Sequence, residues 1–283
     1  MGEIVKMIDL HTHILPGLDD GAKTLEESVQ MCWRSYRDGV RTIVATPHTL
    51  NGLYLNDRDT ILLKVHELNE VISQQLSVNQ TNQRSVTSDQ RAVISDQRNQ
   101  INQRNQINLR ILPGSDVRLC ENTLSHLDQG KVMTIDDNKK YLFLEFPFQA
   151  IPYRAEEIIF QLMSRGVIPI ITHPERNIEL GQRPRRYYEM IRMGCLGQVT
   201  ATSLTGELGP KIKQVAERLL TNRLLHFIAS DAHSVNGRPP ILSEAVRIAG
   251  RIVGQEEAQK MVTEYPQAIL EGRKPDVPEP LVP

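Results

Sequence analysis

The chain has 283 residues, 40% of them hydrophobic, and 33 Lys and Arg stand against 34 Asp and Glu for a net charge of −1. That supplies a real core for one large α/β domain or two small ones, and the balanced charge excludes nucleic-acid or membrane affinity through bulk electrostatics. Three scattered cysteines, Cys32, Cys120 and Cys195, exclude a disulfide framework or a thiolate zinc site and fit a reducing compartment.

The opening MGEIVKMIDLHTH lacks the long apolar stretch of a signal peptide, and no apolar run approaches the ~18 residues of a spanning helix. A soluble cytoplasmic protein without membrane insertion is expected. Val5–Leu10 is the first of a series of short apolar runs. Thr24–Asp38 reads as a helix, with Thr24 as cap, Glu27 at the capping-box spacing and Gly39 just past its end. Thr42–Ala45 is the second run and Asp57–Gln75 the second helix. From Asn79 to Asn108 the pattern breaks into tandem polar units, TNQRSVT, SDQRAVI, SDQRNQI and NQRNQI. Such a tract has too little apolar surface to offset chain entropy, which predicts an expanded, mobile insertion in a helix-to-strand connection. Its seven-residue period leaves open an outward extension of the preceding helix, or self-association.

Alternation then resumes. The runs Leu109–Leu112, Tyr141–Phe146, Val167–Ile171, Leu196–Val199 and Leu225–Ala229 are interleaved with helical patterns at Ala155–Arg165, Arg185–Met193 and Pro210–Thr221, and Ser243–Val253 follows. Gly166 and Gly194 lie just past helix ends. Each run has the length and composition of a buried parallel strand. Seven strands alternating with helices predict a (β/α) barrel or an open doubly wound sheet. In both, chemistry gathers at the C-terminal ends of the strands.

Six of the seven strand ends present a His, Asp or Glu. His11 and His13 follow the first strand, and in extended chain their side chains share a face. His48 follows the second, Asp116 the third, Glu145 closes the fourth and His173 follows the fifth; Asp231 and His233 follow the seventh as another alternating pair. Asp19 and Asp20 add carboxylates after the first pair. A lone histidine at a strand end is more often a hydrogen-bonded structural residue than a ligand. Charged groups repeated at one face of a buried sheet are costly unless paired or metal-bound, and that repetition favours a metal site. Imidazole and carboxylate without thiolate suit manganese, iron or zinc. The carboxylates Asp20, Asp116, Glu145 and Asp231 suit more than one divalent ion; three ions would leave net positive charge, which favours a phosphate dianion. Arg176 and Arg238 lie just past His173 and His233, where a guanidinium can grip two phosphate oxygens. A cysteine-nucleophile phosphatase needs C-x5-R, but Asp38, His126 and Ala201 occupy the sixth positions after the three cysteines. No nucleophile elbow or P-loop is present, which points to a metal-activated water as nucleophile.

The fragments DLHTHILPGLDDGAKT, VATPH, LPGSDVR, LFLEFP, THPER, QVTATSLTGELG and ASDAHSVNGRPP together resemble the polymerase-and-histidinol-phosphatase (PHP) superfamily. More closely, they are similar to its bacterial protein-tyrosine-phosphatase branch of capsular and exopolysaccharide synthesis. The resemblance runs in order from Asp9 to about Arg273, apart from the insertion. It implies a single PHP-type domain over 1–283, folded as a distorted seven-stranded (β/α) barrel with three metal ions, commonly manganese. By motif, His11, His13 and Asp231 would hold one ion; Asp116 would bridge to a second, completed by Glu145 and His173; Asp20, His48 and His233 would hold the third. Arg176 and Arg238 would bind phosphate, and the substrate would be phosphotyrosine on a cytoplasmic tyrosine-kinase tail, with oligomerisation left open. The family usually has Glu where this chain has Asp116, so the second metal position is the one in question. The rivals are a small-molecule phosphatase of the histidinol-phosphate type, an amidohydrolase, which often carries a bridging Lys where Glu145 stands, and a non-catalytic regulator of the kinase.

Overall fold

This computed structural model describes residues 6–81 and 109–283. The polar insertion lies outside the described residues except for Asn79–Thr81, which close helix α2 (Arg58–Thr81). Nine strands follow in chain order: β1 (Met7–Thr12), β2 (Val40–Ala45), β3 (His48–Thr49), β4 (Arg110–Pro113), β5 (Asp116–Arg118), β6 (Tyr141–Glu145), β7 (Ile168–Thr172), β8 (Leu196–Thr200) and β9 (Phe227–Ala229). They form two parallel sheets, ordered β1-β2-β4 and β3-β5-β6-β7-β8-β9.

The seven apolar runs correspond to β1, β2, β4, β6, β7, β8 and β9. Strands β3 and β5 are additions: from sequence alone His48 and Asp116 fall in loops, whereas each opens a short strand, and the two residues pair in register. The breaks have local causes. Pro47, between β2 and β3, has no N–H to donate to a ladder. Gly114, between β4 and β5, passes so close to β2 that a Cβ there would lie 2.8 Å from Val44 Cγ1. The Asp116 N–H donates to the Pro47 carbonyl at 3.1 Å and carries pairing across the gap. At the other edge Thr12 bridges Ala232, and the Asp231 and His13 amides donate to the His11 and Ala232 carbonyls, both at 2.9 Å.

The central strands are apolar because both their faces are covered; β1, β6 and β8 are buried at every residue. One hydrophobic cluster runs from Met7 to Ile269. The principal flanking helices are α1 (Leu25–Arg37), α2, α4 (Ala155–Ser164), α6 (Pro184–Met193), α8 (Pro210–Thr221) and α9 (Ser243–Val253), with the short α3 (Thr123–Asp128), α5 (Ile178–Gln182), α7 (Ala201–Thr205), α10 (Gln255–Lys260) and α11 (Glu264–Leu270) between or after them. Thr24 caps α1 by accepting from the Glu27 N–H at 3.2 Å, while the Glu27 carboxylate accepts from the Lys23 N–H instead of the cap's own. Among the described residues no helix is long and apolar enough to cross a membrane.

Candidate metal centre

The polar side chains at the C-terminal strand ends converge. His11 on β1 and His13 just after it bring their Nε2 atoms to 3.2 Å. The chain then folds back, with the Ala22 N–H donating to the His13 carbonyl at 3.0 Å. Gly21 permits this: a Cβ there would lie 2.0 Å from that carbonyl oxygen. The fold-back buries Asp19, whose Oδ2 lies 2.6 Å from His13 Nδ1 and accepts the His48 N–H at 2.9 Å. Asp20 stays at the mouth, 54% exposed, with Oδ1 3.6 Å from His48 Nε2 and 3.5 Å from His233 Nε2.

Among the described residues three groups of donors each fall within 4.8 Å: His13, Asp20, His48 and His233; His11, His13 and Asp116; and His48, Asp116 and Glu145. Asp116 Oδ2 lies 3.3 Å from His48 Nδ1, 3.8 Å from His11 Nε2 and 3.9 Å from His173 Nε2, central to the cluster. Glu145 Oε1 is 3.7 Å from His173 Nε2. Asp231 Oδ1 is 3.3 Å from His13 Nε2 and 3.6 Å from His11 Nε2. All nine residues expected as ligands are therefore brought together. The grouping is less partitioned than expected, because His13, His48 and Asp116 each belong to two groups.

This donor set fits divalent cations. Asp116 Oδ2 and His48 Nδ1 are buried without a hydrogen-bond partner, and buried groups of this kind are costly unless something positive meets them. The charges respond in kind. Burial pulls His13 down, but Asp19 and Asp231 outweigh it and hold the imidazole up at about 10. Burial lowers His11 to about 4, against the pull of Asp116 and Asp231, so its Nε2 lone pair is available at neutral pH. Burial opposes ionisation of Asp231 too, yet His13 and Arg238 keep it well below the usual carboxylate range. A proton on His13 thus stands where the carboxylates demand positive charge.

Two of these residues sit in left-handed backbone, His173 (φ 35°) and Asp231 (φ 51°). Neither is glycine, and such conformations persist only where their surroundings enforce them, most often at functional sites. Glu175, buried beneath the turn after β7, accepts the Thr200 N–H at 3.0 Å and the Ser203 hydroxyl at 2.6 Å, pinning that turn to the end of β8.

Arg176 and Arg238, expected at phosphate, both donate to Asp231 Oδ2, Arg176 at 2.6 Å. They line the mouth, 16% and 27% exposed. A third arginine, Arg118, pairs with Glu145 at 3.0 Å. Four residues support the cluster, and all but Asp19, already named as a carboxylate after the first pair, escape a reading that looks for ligands alone. Asp19 orients His13; Gln198 places its Oε1 3.1 Å from His11 Nδ1; the Thr172 hydroxyl donates to Asp116 Oδ1 at 3.1 Å; Arg118 faces Glu145. The signal for Gln198 was the gap it fills, since its strand was the one end of seven without an acid or imidazole.

Imidazoles, carboxylates and arginines gathered at the ends of parallel strands define a metal-dependent hydrolase. The chain belongs to the family described as capsular polysaccharide synthesis, CpsB/CapC, which matches residues 7–79 and 77–271. It is 34% identical to the tyrosine-protein phosphatase YwqE of Bacillus subtilis, over 93% of this chain and 91% of that one. It is 30% identical to the tyrosine-protein phosphatase CpsB of Streptococcus agalactiae, over 93% and 98%. A solved structure from work on YwqE of Bacillus subtilis and CpsB of Streptococcus pneumoniae, described as unique metal-dependent tyrosine phosphatases, superposes with a TM-score of 0.83 at 32% identity, covering 98% of this chain and 99% of that one.

Proposed function

We propose that this chain is a metal-dependent protein-tyrosine phosphatase that hydrolyses phosphotyrosine on the cytoplasmic tail of a tyrosine kinase of capsule or exopolysaccharide synthesis. The observation that carries it is the cluster of mutually close imidazoles and carboxylates with arginines at its mouth, in a chain sharing 30–34% identity with named tyrosine phosphatases over nearly its whole length. The two sheets are taken as arcs of one distorted seven-stranded (β/α) barrel and the chain as one domain. The Asp116–Pro47 hydrogen bond, the Thr12–Ala232 bridge and the single hydrophobic cluster support this.

Three ions, manganese first with iron or zinc as the other fits, would be held by His11, His13 and Asp231; by Asp116, Glu145 and His173; and by Asp20, His48 and His233. Divalent cations bound there supply an acidified water and positive charge against the phosphate oxygens. The chain's own residues do the rest. Asp19 and Gln198 fix the rings of His13 and His11 through the nitrogen facing away from the cluster. Arg176 and Arg238 exchange their hold on Asp231 for the phosphate oxygens, a charge-assisted grip that strengthens as charge builds on the transferring group. A phenolate leaves more readily than an alkoxide, so no strong general acid is required.

The test is release of phosphate from a phosphotyrosine peptide by the manganese-reconstituted protein. Activity that survives both chelation and His13→Ala would overturn the proposal. Faster turnover of histidinol phosphate than of the peptide would replace it with a small-molecule phosphatase.

A further inference from the structure

Phe148 stands three residues past Glu145, outside the hydrophobic core, with 38% of its surface exposed. Its ring is nonetheless held against the site. The Phe148 carbonyl accepts the Ile178 N–H at 2.8 Å, and the Pro147 carbonyl accepts from Asn177 Nδ2 at 2.6 Å, which ties the loop after β6 to the turn after β7. The ring centroid lies 6.1 Å from that of His173, and the Arg176 guanidinium sits 4.8 Å from it. The guanidinium's attraction to the ring face fixes the two groups relative to each other. The arginine assigned to phosphate and an immobilised, half-exposed aromatic ring therefore form one unit.

We propose that Phe148 is a specificity-determining residue whose solvent-facing side receives the aryl ring of the substrate ester, so that the site selects aryl over alkyl phosphates. The inference rests on the phosphatase reading above. In an aryl phosphate one bridging oxygen separates phosphorus from the ring, so a phosphate gripped by Arg176 sets its aryl group beside Phe148. Aromatic pairs are favourable in offset or edge-to-face arrangements with centroids about 4.5–7 Å apart, and an alkyl chain gains no such contact.

The experiment uses the full chain loaded with manganese and compares phenyl phosphate with propyl phosphate. Phe148→Ala is expected to raise KM for phenyl phosphate about tenfold, roughly 1.4 kcal/mol, and to leave propyl phosphate within about twofold. Phe148→Tyr restores the phenyl preference. Phenylphosphonate binds the Ala variant more weakly than wild type, while inorganic phosphate, which feels only the looser Arg176, changes within about twofold. Tyr153→Ala, on the same loop and 96% exposed, behaves as wild type. Equal loss on both esters, the same loss in Tyr153→Ala, or wild-type KM in Phe148→Leu would overturn the role of the ring. A wild type that turned over neither ester would remove the phosphatase reading, while the phenylphosphonate comparison would still decide the role of Phe148.

Discussion

At the scale of residues, Asp116 is the most constrained member of the cluster. It is fully buried, faces three imidazoles through Oδ2 and holds the Thr172 hydroxyl through Oδ1. Asp116→Glu adds a methylene at a fully buried position, and overpacking of this kind costs about 1–3 kcal/mol. Asp116→Glu is therefore expected to lower both metal content and phosphate release; a sharp gain would show a weakened bridge waiting for the longer side chain. Asp19→Asn removes the charge that holds the His13 ring and is expected to weaken metal binding by about 10–100-fold, read by titration of the apoprotein with manganese. The candidate ligands were legible in sequence because acids and imidazoles recur at one strand end after another, a repetition that single structural residues do not produce. Their supports were not, because Gln198 and Thr172 are ordinary strand residues until the neighbouring strand shows what they face.

At the scale of elements, the strands and long helices follow from period and punctuation, and the lengths of the seven apolar runs lie close to those of the strands. What local pattern misses is pairing. Strands β3 and β5 are too short to carry a periodic signal and exist because each offers the other a partner across the breaks at Pro47 and Gly114. The loop after β1 shows the same dependence. Gly21 has no positive φ to betray it and is required only because the chain doubles back onto His13. Gly21→Ala is expected to displace Asp19 and Asp20 together, lowering metal affinity at least as far as Asp19→Asn, with a melting temperature below wild type even in the apoprotein. An unchanged melting curve would show that the loop accommodates the methyl group.

At the scale of the whole molecule, ions that bind the folded chain alone stabilise it by mass action, about 2.7 kcal/mol at a hundredfold excess over Kd. Chelation of the loaded protein is expected to lower its melting temperature by roughly 5–10 °C. Acid acts at the other end of the strands. His226, before β9, is buried, accepts the Gly197 N–H at 2.9 Å, and is lowered by burial to about 4. Its folded pKa lies below the unfolded value of about 6.5, so the unfolded chain binds more protons between the two. The stability from keeping the ring neutral is complete above pH 6.5 and is lost as pH falls toward 4, by up to about 3 kcal/mol. His226→Asn keeps an acceptor for Gly197 without a titrating group. Denaturant unfolding of the two proteins from pH 7 to pH 5 should show the wild type losing more stability than the variant; parallel losses would place the acid sensitivity elsewhere.

The contact between β1 and the residues after β9 joins partners as far apart as Asp9 and Ser230, 221 positions along the chain. A chain emerging from the ribosome displays His11 and His13 long before Asp231 and His233 are synthesised. Contacts this distant form slowly, because loop closure must precede any reward. Until the last strand docks, the early imidazoles are loose ligands open to whichever transition metal is most competitive, and on such unrestrained donors copper outbids manganese. If the proposed centre holds, the order of synthesis bears on the choice of ion alongside the shape of the finished cavity.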